Sequence, residues 1–395
     1  MTKRVYVDNS ATTPMHPQVL EEMLPYFTEK FGNPSSIHSF GREAKQAMDR
    51  ARDRVAKSLG ARSGEIYFTG SGTEADNWAL KGTAYANRNR GNHIITSKVE
   101  HHAVLHTCQY LEKHGFDVTY LEVDEFGMVN PEDLKKEVND KTVLISIMFA
   151  NNEIGTIQPV EEIGKIAGER GIYFHTDAVQ AMGNTAIDVE RLNIDLLSIS
   201  AHKIRGPKGV GALYIKKGVK IDNLVHGGAQ ERKKRSGTEN IAAVVGLGKA
   251  AQLASDNLEG HVRKMTLLRD RLIGGIREKI EHVRLNGHPT QRLPNNINFS
   301  FDFIEGEALL LSLDMVGIAA SSGSACTSGS LDPSHVLLAT GLCHETAHGS
   351  LRISLGDINT EEDIDYILEQ LPPIVERLRK LSPLFKQCEG GKVHV

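Results

Sequence analysis

The chain has 395 residues, of which 40% are hydrophobic and 24% are charged, and its formal net charge is −4 at pH 7. This length exceeds the size at which a single hydrophobic core stops growing, so we expect two domains. A negative net charge disfavours general affinity for nucleic acid or for an anionic membrane, because both require a basic surface.

The N-terminal sequence leads directly into a strand-like segment at 5–7, with no long apolar stretch behind it, so we expect no secretory signal. The most apolar helix-like stretch, at 241–254, is too short to span a bilayer. The cysteines lack the spacing of a metal site and are typical of reduced thiols: Cys108, Cys326, Cys343 and Cys388. We therefore expect a cytoplasmic protein with neither a membrane nor a nucleic-acid partner.

Short apolar runs alternate with helix-length segments through the first two thirds of the chain. The predicted buried strands lie at 66–69, 93–96, 143–148, 172–175 and 195–199. Helix-length segments lie between them, for example at 74–87 and 160–170. This alternation predicts an α/β fold with a mainly parallel sheet between layers of helices, and it predicts ligands at the carboxyl ends of the strands.

The pattern changes after about residue 255. Long charged helical stretches at 258–281 and 361–381 flank an alternating run at 297–301 and a short strand-like run at 351–354. This mixture predicts a smaller α+β domain, to which the N-terminal strand returns.

The segment Gly70-Ser71-Gly72-Thr73 lies between a predicted strand and a predicted helix. Free backbone N–H groups at such a junction favour an anion such as phosphate. A simple turn with a helix cap is the alternative, because Ser and Thr cap helices anyway. The segment lacks the lysine of a P-loop and the spacing of a dinucleotide fingerprint, so nucleotide binding is poorly supported.

Two strand ends carry the residues that pyridoxal phosphate requires. Lys203 follows the predicted strand at 195–199, and Asp177 follows the strand at 172–175. A lysine can bind the aldehyde of this cofactor covalently, and an acid can keep its ring nitrogen protonated. Gln180, three positions after Asp177, is a candidate for the ring hydroxyl. A solvated lysine is the alternative, because most lysines lie at the surface.

The pair His101-His102 follows the predicted strand at 93–96. An imidazole there can face a flat ring or exchange protons near neutral pH. A structural histidine is the alternative, and two adjacent histidines on a helix are poor joint metal ligands because they do not share a face.

Ten small residues at 321–330 surround Cys326. Such a run buries little side-chain surface, which predicts an exposed loop. A lone cysteine is usually buried as a small hydrophobic residue, whereas this setting favours a reactive thiol with a lowered pKa.

Two further motifs are weaker. His344 and His348 match the HExxH pattern of zinc peptidases, but a strand is predicted to begin near 351, which leaves little helix for a zinc site. A solvated loop explains the basic run at 232–235 as well as an anion contact does. We therefore expect no metal site.

Nine motifs follow one another along the chain: Asp-Asn-Ser-Ala-Thr-Thr-Pro at 8–14, Gly-Asn-Pro-Ser-Ser-Ile-His at 32–38, Gly-Thr-Glu-Ala-Asp-Asn at 72–77, Glu-His at 100–101, Asn-Asn-Glu-Ile-Gly at 151–155, Asp-Ala-Val-Gln at 177–180, Ser-Ala-His-Lys at 200–203, Arg-Ser-Gly-Thr at 235–238 and Ser-Ala-Cys-Thr-Ser at 324–328. Their order and spacing resemble the cysteine desulfurases of the NifS and IscS type, a group of class V aminotransferase-like enzymes. Each motif is weak alone, but the series is specific.

The resemblance implies a fold-type-I homodimer. Its large domain, at 14–257, would hold a mainly parallel seven-stranded sheet between helices. A smaller α+β domain, formed by 1–13 and 258–395, would carry the cysteine loop at about 321–332.

The resemblance also implies pyridoxal 5'-phosphate as the cofactor and assigns its contacts. Lys203 would hold the cofactor covalently, Asp177 would pair with the ring nitrogen, and Gln180 would contact the ring hydroxyl. His101 would stack on the ring. The phosphate contacts would come from Gly72, Thr73, Ser200 and His202, joined by Thr238 of the partner subunit.

The implied reaction converts L-cysteine to L-alanine and leaves a persulfide on Cys326. Lys203 would move the α-proton and His101 would exchange protons with a thiol, while Asn152 and Arg352 would fix the substrate carboxylate. The sulfur would pass to an iron–sulfur scaffold protein or another acceptor. The resemblance implies no resident metal, although Cys326 could transiently ligate an iron–sulfur cluster.

Two alternatives stay open, a selenocysteine lyase-like enzyme and a non-catalytic scaffold-binding homologue. The chain also departs from the family pattern. Arg205 stands where family members often carry tyrosine, and Cys343 is an additional thiol near the expected site.

Overall fold

The computed structural model of the chain describes residues 3–322, 333–383 and 385. Its strands, in chain order, are β1 Val5–Tyr6, β2 Ile66–Thr69, β3 His93–Ser97, β4 Asp117–Leu121, β5 Thr142–Ser146, β6 Tyr173–Asp177, β7 Leu196–Ser200, β8 Gly211–Ile215, β9 Val283–Leu285, β10 Asn296–Phe301, β11 Ile318–Ala319 and β12 Ser350–Ser354. Its first eight helices are α1 Pro17–Met23, α2 Pro25–Thr28, α3 Ser39–Leu59, α4 Gly72–Asn77, α5 Thr83–Ala86, α6 His102–Glu112, α7 Pro131–Glu137 and α8 Val160–Arg170. The others are α9 Gln230–Lys233, α10 Ile241–Asp256, α11 Leu258–Lys279, α12 Gly306–Met315, α13 His335–Ala339, α14 His344–His348 and α15 Glu361–Leu381.

The central sheet has seven strands in the order β2-β8-β7-β6-β5-β3-β4. Only β8 runs against its neighbours, β2 and β7, and the other pairs are parallel. The predicted strands correspond to β2, β3, β5, β6 and β7, so the expectation of an α/β fold with a mainly parallel seven-stranded sheet is confirmed. The strands β4 and β8 were not predicted individually.

The central strands are buried on both faces. All five residues of β3, of β5 and of β7 are buried, as expected for parallel strands that helices cover on both sides. Polar groups that line such a sheet lie mainly at its edges and strand ends, which is where ligands bind in α/β folds.

Helices α3 and α10 pack closely because small residues face each other. A Cβ added to Gly248 of α10 would lie 2.5 Å from the Cα of Ala51 in α3, so no side chain fits there. The helix α3 ends at Gly60, whose φ of 68° is left-handed, a common way to end a helix. This contact covers one face of the sheet.

A second group of elements follows α10. Strands β12, β10 and β9 form an antiparallel sheet in that order, and buried side chains of α11, α12 and α15 join its core. The N-terminal strand β1 pairs in parallel with β11, through Val5 opposite Ile318. A bridge between Asp8 and Ser354 joins the N-terminal segment to β12 of the antiparallel sheet.

Among the helices of the described segments, none combines the length and the apolar character that crossing a membrane would require.

Candidate active site

A cavity of about 200 Å³ lies where the carboxyl ends of five strands of the central sheet meet. The segments that line it follow β2, β3, β5, β6 and β7. Of the site residues predicted from the sequence, nine line this cavity: Gly72, Thr73, His101, Asn152, Asp177, Gln180, Ser200, His202 and Lys203.

Lys203 ends a 3-10 turn that follows β7 and points its amine at the N-terminal segment. Its Nζ donates a hydrogen bond to the carbonyl oxygen of Ala11, at 2.8 Å, and another to the carbonyl oxygen of Ser10. Thr13 fixes the same turn, because its backbone N–H and its hydroxyl both donate to the carbonyl oxygen of His202. The N-terminal segment therefore holds the lysine at the cavity.

Asp177 ends β6, the strand beside β7, and is buried at the cavity floor. Its Oδ1 accepts a hydrogen bond from the backbone N–H of Val179 at 2.9 Å. Burial raises the pKa of the Asp177 carboxyl to about 6, against the opposing effect of Lys203. A cation bound beside Asp177 would stabilise the carboxylate and lower this pKa again.

Gln180 lies in the turn after β6, three residues beyond Asp177, and also lines the cavity. Its Nε2 donates to the carbonyl oxygen of Ser10 at 3.0 Å. Lys203 donates to the same oxygen, so the side chain of Gln180 and the amine of Lys203 converge on one point of the N-terminal segment.

Asp76, which the sequence did not reveal as a site residue, lies beside Asp177. One side-chain atom from each of Asp76, His101 and Asp177 lies within 4.8 Å of the other two. Asp76 is 1% exposed, and its Oδ1 has no hydrogen-bond partner among the described residues. Burial and the neighbouring Asp177 raise the pKa of the Asp76 carboxyl well above its usual value. Thr73 and Asp76 are three residues apart on one helix and therefore lie on the same face. This spacing is the signal that could have identified Asp76 as a site residue.

His101 caps the N-terminus of α6, where its Nδ1 accepts a hydrogen bond from the backbone N–H of Ala103 at 3.1 Å. Burial and then Lys203 lower the pKa of this imidazole to about 4, so it is neutral near pH 7. Since Nδ1 accepts, the ring proton lies on Nε2. The neighbouring His102 turns away from the cavity and lies against the rings of His106 and His335.

The strand-to-helix junction after β2 forms one end of the cavity. The hydroxyl of Ser71 accepts a hydrogen bond from the backbone N–H of Glu74 and so caps α4. A Cβ added to Gly72 would lie 2.9 Å from the side chain of Val179, so the close approach requires glycine. Ser200 and His202 face this junction, and burial followed by Lys203 lowers the pKa of His202 to about 4.

Arg352 contacts Asn152, which lines the cavity. Arg352 of β12 is 1% exposed, and its Nη1 donates to the carbonyl oxygen of Asn152 at 3.2 Å. Its Nη2 lies 3.0 Å from the Oδ1 of Asp8. The Nε of Arg352 has no hydrogen-bond partner among the described residues, so a buried donor is free for an acceptor such as a carboxylate.

This set of groups fits pyridoxal phosphate. The cavity offers an amine for an aldehyde, an acid for a ring nitrogen, and a helix N-terminus with hydroxyl and imidazole groups for a phosphate. The buried Oγ of Ser10 and Oδ1 of Asp76 have no hydrogen-bond partner among the described residues. Leaving a buried polar atom without a partner costs free energy, and a bound polar ligand can supply the missing hydrogen bonds. Asp76, His101 and Asp177 are also of metal-ligand types.

Three predicted site residues are not among those that line this cavity, and the first of them is Arg352, whose contact with Asn152 is described above. Cys326 lies outside the described residues. Thr238 is exposed and is not among the residues that line the cavity. The loop that carries it is fixed by Arg235, whose Nε lies 2.7 Å from the Oε1 of Glu74.

The weaker motifs have structural explanations. The HExxH residues form α14, a helix of five residues. In the basic run, Arg232 lies over the ring of Tyr67 and donates to the carbonyl oxygen of Ile66. The Sγ of the exposed Cys343 lies 3.4 Å from the hydroxyl oxygen of Thr346. Hydrogen bonds from the hydroxyl and the backbone N–H of Thr346 stabilise the thiolate and lower the pKa of Cys343.

We expect the substitution Glu100→Gln to stabilise the protein increasingly as pH rises. Burial raises the pKa of Glu100 to about 8, although its Oε1 accepts hydrogen bonds from Ser97 and Met148. The unfolded carboxyl ionises near pH 4.3 while the folded carboxyl keeps its proton, so the wild type loses stability between about pH 4.3 and 8. Glutamine cannot ionise. The free energy of unfolding gained by the variant should be at least about 2 kcal/mol larger at pH 8 than at pH 5, as measured by urea denaturation.

Glu125→Gln, which changes an exposed carboxyl, is the matched control and should follow the wild-type curve. A stability difference between Glu100→Gln and wild type that stays constant from pH 5 to pH 8 would contradict the expected protonation of Glu100.

A family model described as aminotransferase class-V matches residues 5–367. The chain is 64% identical over 394 residues to the protein named cysteine desulfurase IscS from Clostridium botulinum (strain Hall), with 99% of each chain covered. It is 63% identical over 382 residues to the cysteine desulfurase IscS of Methanosarcina thermophila, covering 97% of this chain and 94% of that one. The solved structure of a NifS-like protein matches with a TM-score of 0.90 at 43% identity, over 95% of this chain and 100% of that one. A structure of SspA in complex with cysteine matches with a TM-score of 0.79 at 38% identity, over 89% of this chain and 98% of that one.

Proposed function

Because this chain belongs to the aminotransferase class-V family, we propose that it takes sulfur from L-cysteine and transfers it to Cys326 as a persulfide. It is a pyridoxal-phosphate enzyme and a cysteine desulfurase, and its second product is L-alanine. The identity of 64% to a cysteine desulfurase over 99% of both chains is the observation that carries this conclusion. The cavity that gathers Lys203, Asp177 and His101 agrees with it.

Several residues of the cavity are proposed to hold the cofactor. Lys203 binds it covalently, Asp177 contacts its ring nitrogen, and Gln180 lies near the ring hydroxyl. His101 lies against the ring face. The phosphate contacts are Gly72, Thr73, Ser200 and His202, with Thr238 of the partner subunit. When bound, pyridoxal phosphate withdraws electrons from the α-carbon of an amino acid.

Asn152 and Arg352 are proposed to orient the substrate. The buried Nε of Arg352 is available to the carboxylate, and its Nη2 is already positioned by Asp8. An arginine fork presents several donors in one plane, which matches the two oxygens of a carboxylate. This contact places the α-carbon of cysteine towards Lys203.

Proton movement is assigned to Lys203 and His101. The amine of Lys203 takes the α-proton of the substrate and returns a proton to the carbon skeleton. His101 is neutral near pH 7 and carries its ring proton on Nε2, so it can donate that proton and accept one in turn. Two different groups can therefore serve carbon and sulfur separately.

The sulfur transfer is assigned to Cys326. Its thiolate attacks the sulfur of the substrate, so a sulfur–sulfur bond forms and the carbon–sulfur bond breaks. The electron pair of the broken bond stays with the carbon skeleton, which is protonated to give L-alanine. The sum is one cysteine and one thiol converted to one alanine and one persulfide, with no external oxidant or reductant.

The functional unit is proposed to be a homodimer. An apolar surface between residues 20 and 40 is solvent-exposed in the single chain, with Phe31 at 65% and Ile37 at 91% exposure. The other members of this surface are Leu20, Leu24, Phe27 and Phe40. Large exposed apolar surfaces mark interaction sites, and a second copy would also bring its Thr238 to the cofactor phosphate.

We expect Phe31→Asp to weaken this dimer by at least about tenfold, because a charge would be buried among apolar side chains. Light scattering after gel filtration over a dilution series measures the change. Leu267→Asp, at a residue that is 67% exposed on α11, is the control and should leave the mass unchanged. A wild-type protein that is monomeric at every concentration would contradict the dimer.

Four further assignments complete the proposal. The sulfur acceptor is an iron–sulfur scaffold protein, as the IscS name of the relatives implies, and the enzyme acts in the cytoplasm. Cys326 could also ligate an iron–sulfur cluster transiently. We keep the domain division at 14–257 for the cofactor domain, with 1–13 and 258–395 in the small domain.

The activity is tested by incubating cofactor-loaded protein with L-cysteine and a reductant, and by measuring alanine and sulfide. We expect equal amounts of both, many-fold above the enzyme concentration. L-serine is the control substrate, since it has no sulfur to transfer and should yield no alanine. Turnover of L-selenocysteine far above that of L-cysteine would favour the lyase alternative, and the absence of alanine from loaded protein would favour the non-catalytic one.

A further inference from the structure

An ion pair joins the segment after Lys203 to the segment after β12. The Nη1 of Arg205 lies 2.8 Å from the Oδ2 of Asp357. Arg205 is two residues after Lys203, and Asp357 is five residues after Arg352. The pair therefore connects the element that carries the proposed cofactor lysine with the strand that carries the proposed carboxylate ligand.

Asp357 is held from three directions. Its Oδ1 lies 2.6 Å from the Nδ1 of His261, whose Nε2 lies 3.1 Å from the Oδ1 of Asn184. The Nζ of Lys264 donates to the carbonyl oxygen of Asp357 at 2.7 Å. His261 and Arg205 hold the pKa of the Asp357 carboxyl well below its usual range. The carboxylate is therefore charged at the pH of any enzyme assay.

Arg205 is fixed by its backbone. Its N–H donates to the hydroxyl of Thr13 at 2.9 Å, and its carbonyl oxygen accepts from the N–H of His16 at 2.9 Å. Its φ of 64° is left-handed, a conformation that costs free energy for any residue but glycine. Such a strained residue persists only where its surroundings determine it, and here it aims the guanidinium at Asp357.

A cavity of about 270 Å³ lies beside this contact. Ile204, Arg205, Leu355 and Asp357 are among the residues that line it, and Lys203 also borders it. At this cavity the Arg205–Asp357 pair is a direct link between the two segments.

We propose that the Arg205–Asp357 pair is a positioning device that fixes the distance between Lys203 and Arg352 and thereby sets the affinity for the substrate carboxylate. This inference rests on the proposed function. Without the pair, the segment after β12 moves relative to Lys203. A smaller fraction of the protein molecules then holds Lys203 and Arg352 at the distance that binds the substrate. Apparent affinity falls in proportion to that fraction, while the chemistry in the competent arrangement is unchanged.

The test uses Arg205→Ala, Asp357→Ala and the double variant in cofactor-loaded protein. We expect each to raise the KM for L-cysteine by roughly three- to tenfold with kcat within about twofold, which is the signature of lost uniform binding. The double variant should match Asp357→Ala, because the loss of Asp357 already breaks the pair and also removes the contact with His261. Arg205→Lys should recover part of the affinity. The Kd of the product L-alanine, from the absorbance of the bound cofactor, should rise by the same factor.

Arg54→Ala is the matched control. Arg54 forms an ion pair with Glu22 at 2.5 Å and is exposed to a similar degree, 29% against 23% for Arg205. It lies on α3, away from the cavity, and its variant should keep the wild-type KM and the wild-type Kd for L-alanine.

An unchanged KM in Arg205→Ala, or an equal rise in Arg54→Ala, overturns the positioning role. The proposed function fails separately, if loaded wild type forms no alanine from L-cysteine. In that case the Kd for L-alanine still tests the inference. A higher Kd in Arg205→Ala than in wild type, with an unchanged Kd in Arg54→Ala, supports the positioning role. Equal Kd values in Arg205→Ala and wild type overturn it.

Discussion

Lys203→Ala should reduce alanine formation from L-cysteine by at least about 10³-fold, because it removes both the covalent attachment of the cofactor and the proposed base. Among the described residues that line the cavity, Lys203 supplies the one amine. Its Nζ is directed by two backbone carbonyl oxygens, which a shorter side chain cannot reach. Initial rates of alanine release measure the loss.

Reduction with borohydride followed by peptide mass analysis gives a second measurement. In wild type the mass of the reduced cofactor should be found on Lys203, and in the variant on no lysine. Lys208→Ala is the control, since Lys208 is exposed five residues further along the chain, and it should retain the wild-type rate within about twofold. A Lys203→Ala protein with more than a tenth of the wild-type rate would exclude the proposed role.

Cys326→Ala should also stop catalytic alanine formation, with a loss of at least about 10³-fold, because no other group then accepts the sulfur. Proton movement at the α-carbon should continue, since it depends on Lys203. In D₂O, the variant should therefore still incorporate deuterium at the α-position of L-alanine at a rate close to that of wild type. The two readouts separate sulfur transfer from proton transfer.

Cys343→Ala is the matched control for this variant. Cys343 is the exposed thiol among the described residues, and its lowered pKa makes it the natural competitor as nucleophile. We expect Cys343→Ala to form persulfide and alanine as wild type does. Loss of activity in Cys343→Ala with activity retained in Cys326→Ala would reverse the assignment.

The sequence predicted the residues at strand ends well, because the pattern that marks a strand also marks where it stops. Asp177 and Lys203 each follow an apolar run, and the structure places the two strands side by side. Their adjacency itself depends on the strand order of the sheet, which no local pattern contains. The chemical roles of these residues were predicted from the resemblance to the cysteine desulfurases, because the position of a residue at a strand end does not indicate its role.

The missed features depend on contacts between distant parts of the chain. Asp76 is an acid within a helical segment, where a solvated position is the usual outcome. It is buried because α4 covers the ends of β6 and β7, which lie more than 90 residues later. The carbonyl oxygens of Ser10 and Ala11 belong to the backbone, so residue types carry no signal for them. The edge strand β4 is half-buried and lacks the apolar run that marked the others.

The pairing of β1 with β11 has a consequence for how the protein is made. Val5 leaves the ribosome about 300 residues before its partner Ile318. At typical rates of synthesis, the first strand waits roughly 15–60 s for the second. The carbonyl oxygens that hold Lys203 follow this strand directly. The N-terminal segment that contacts Lys203 therefore reaches its final position only when translation is nearly finished.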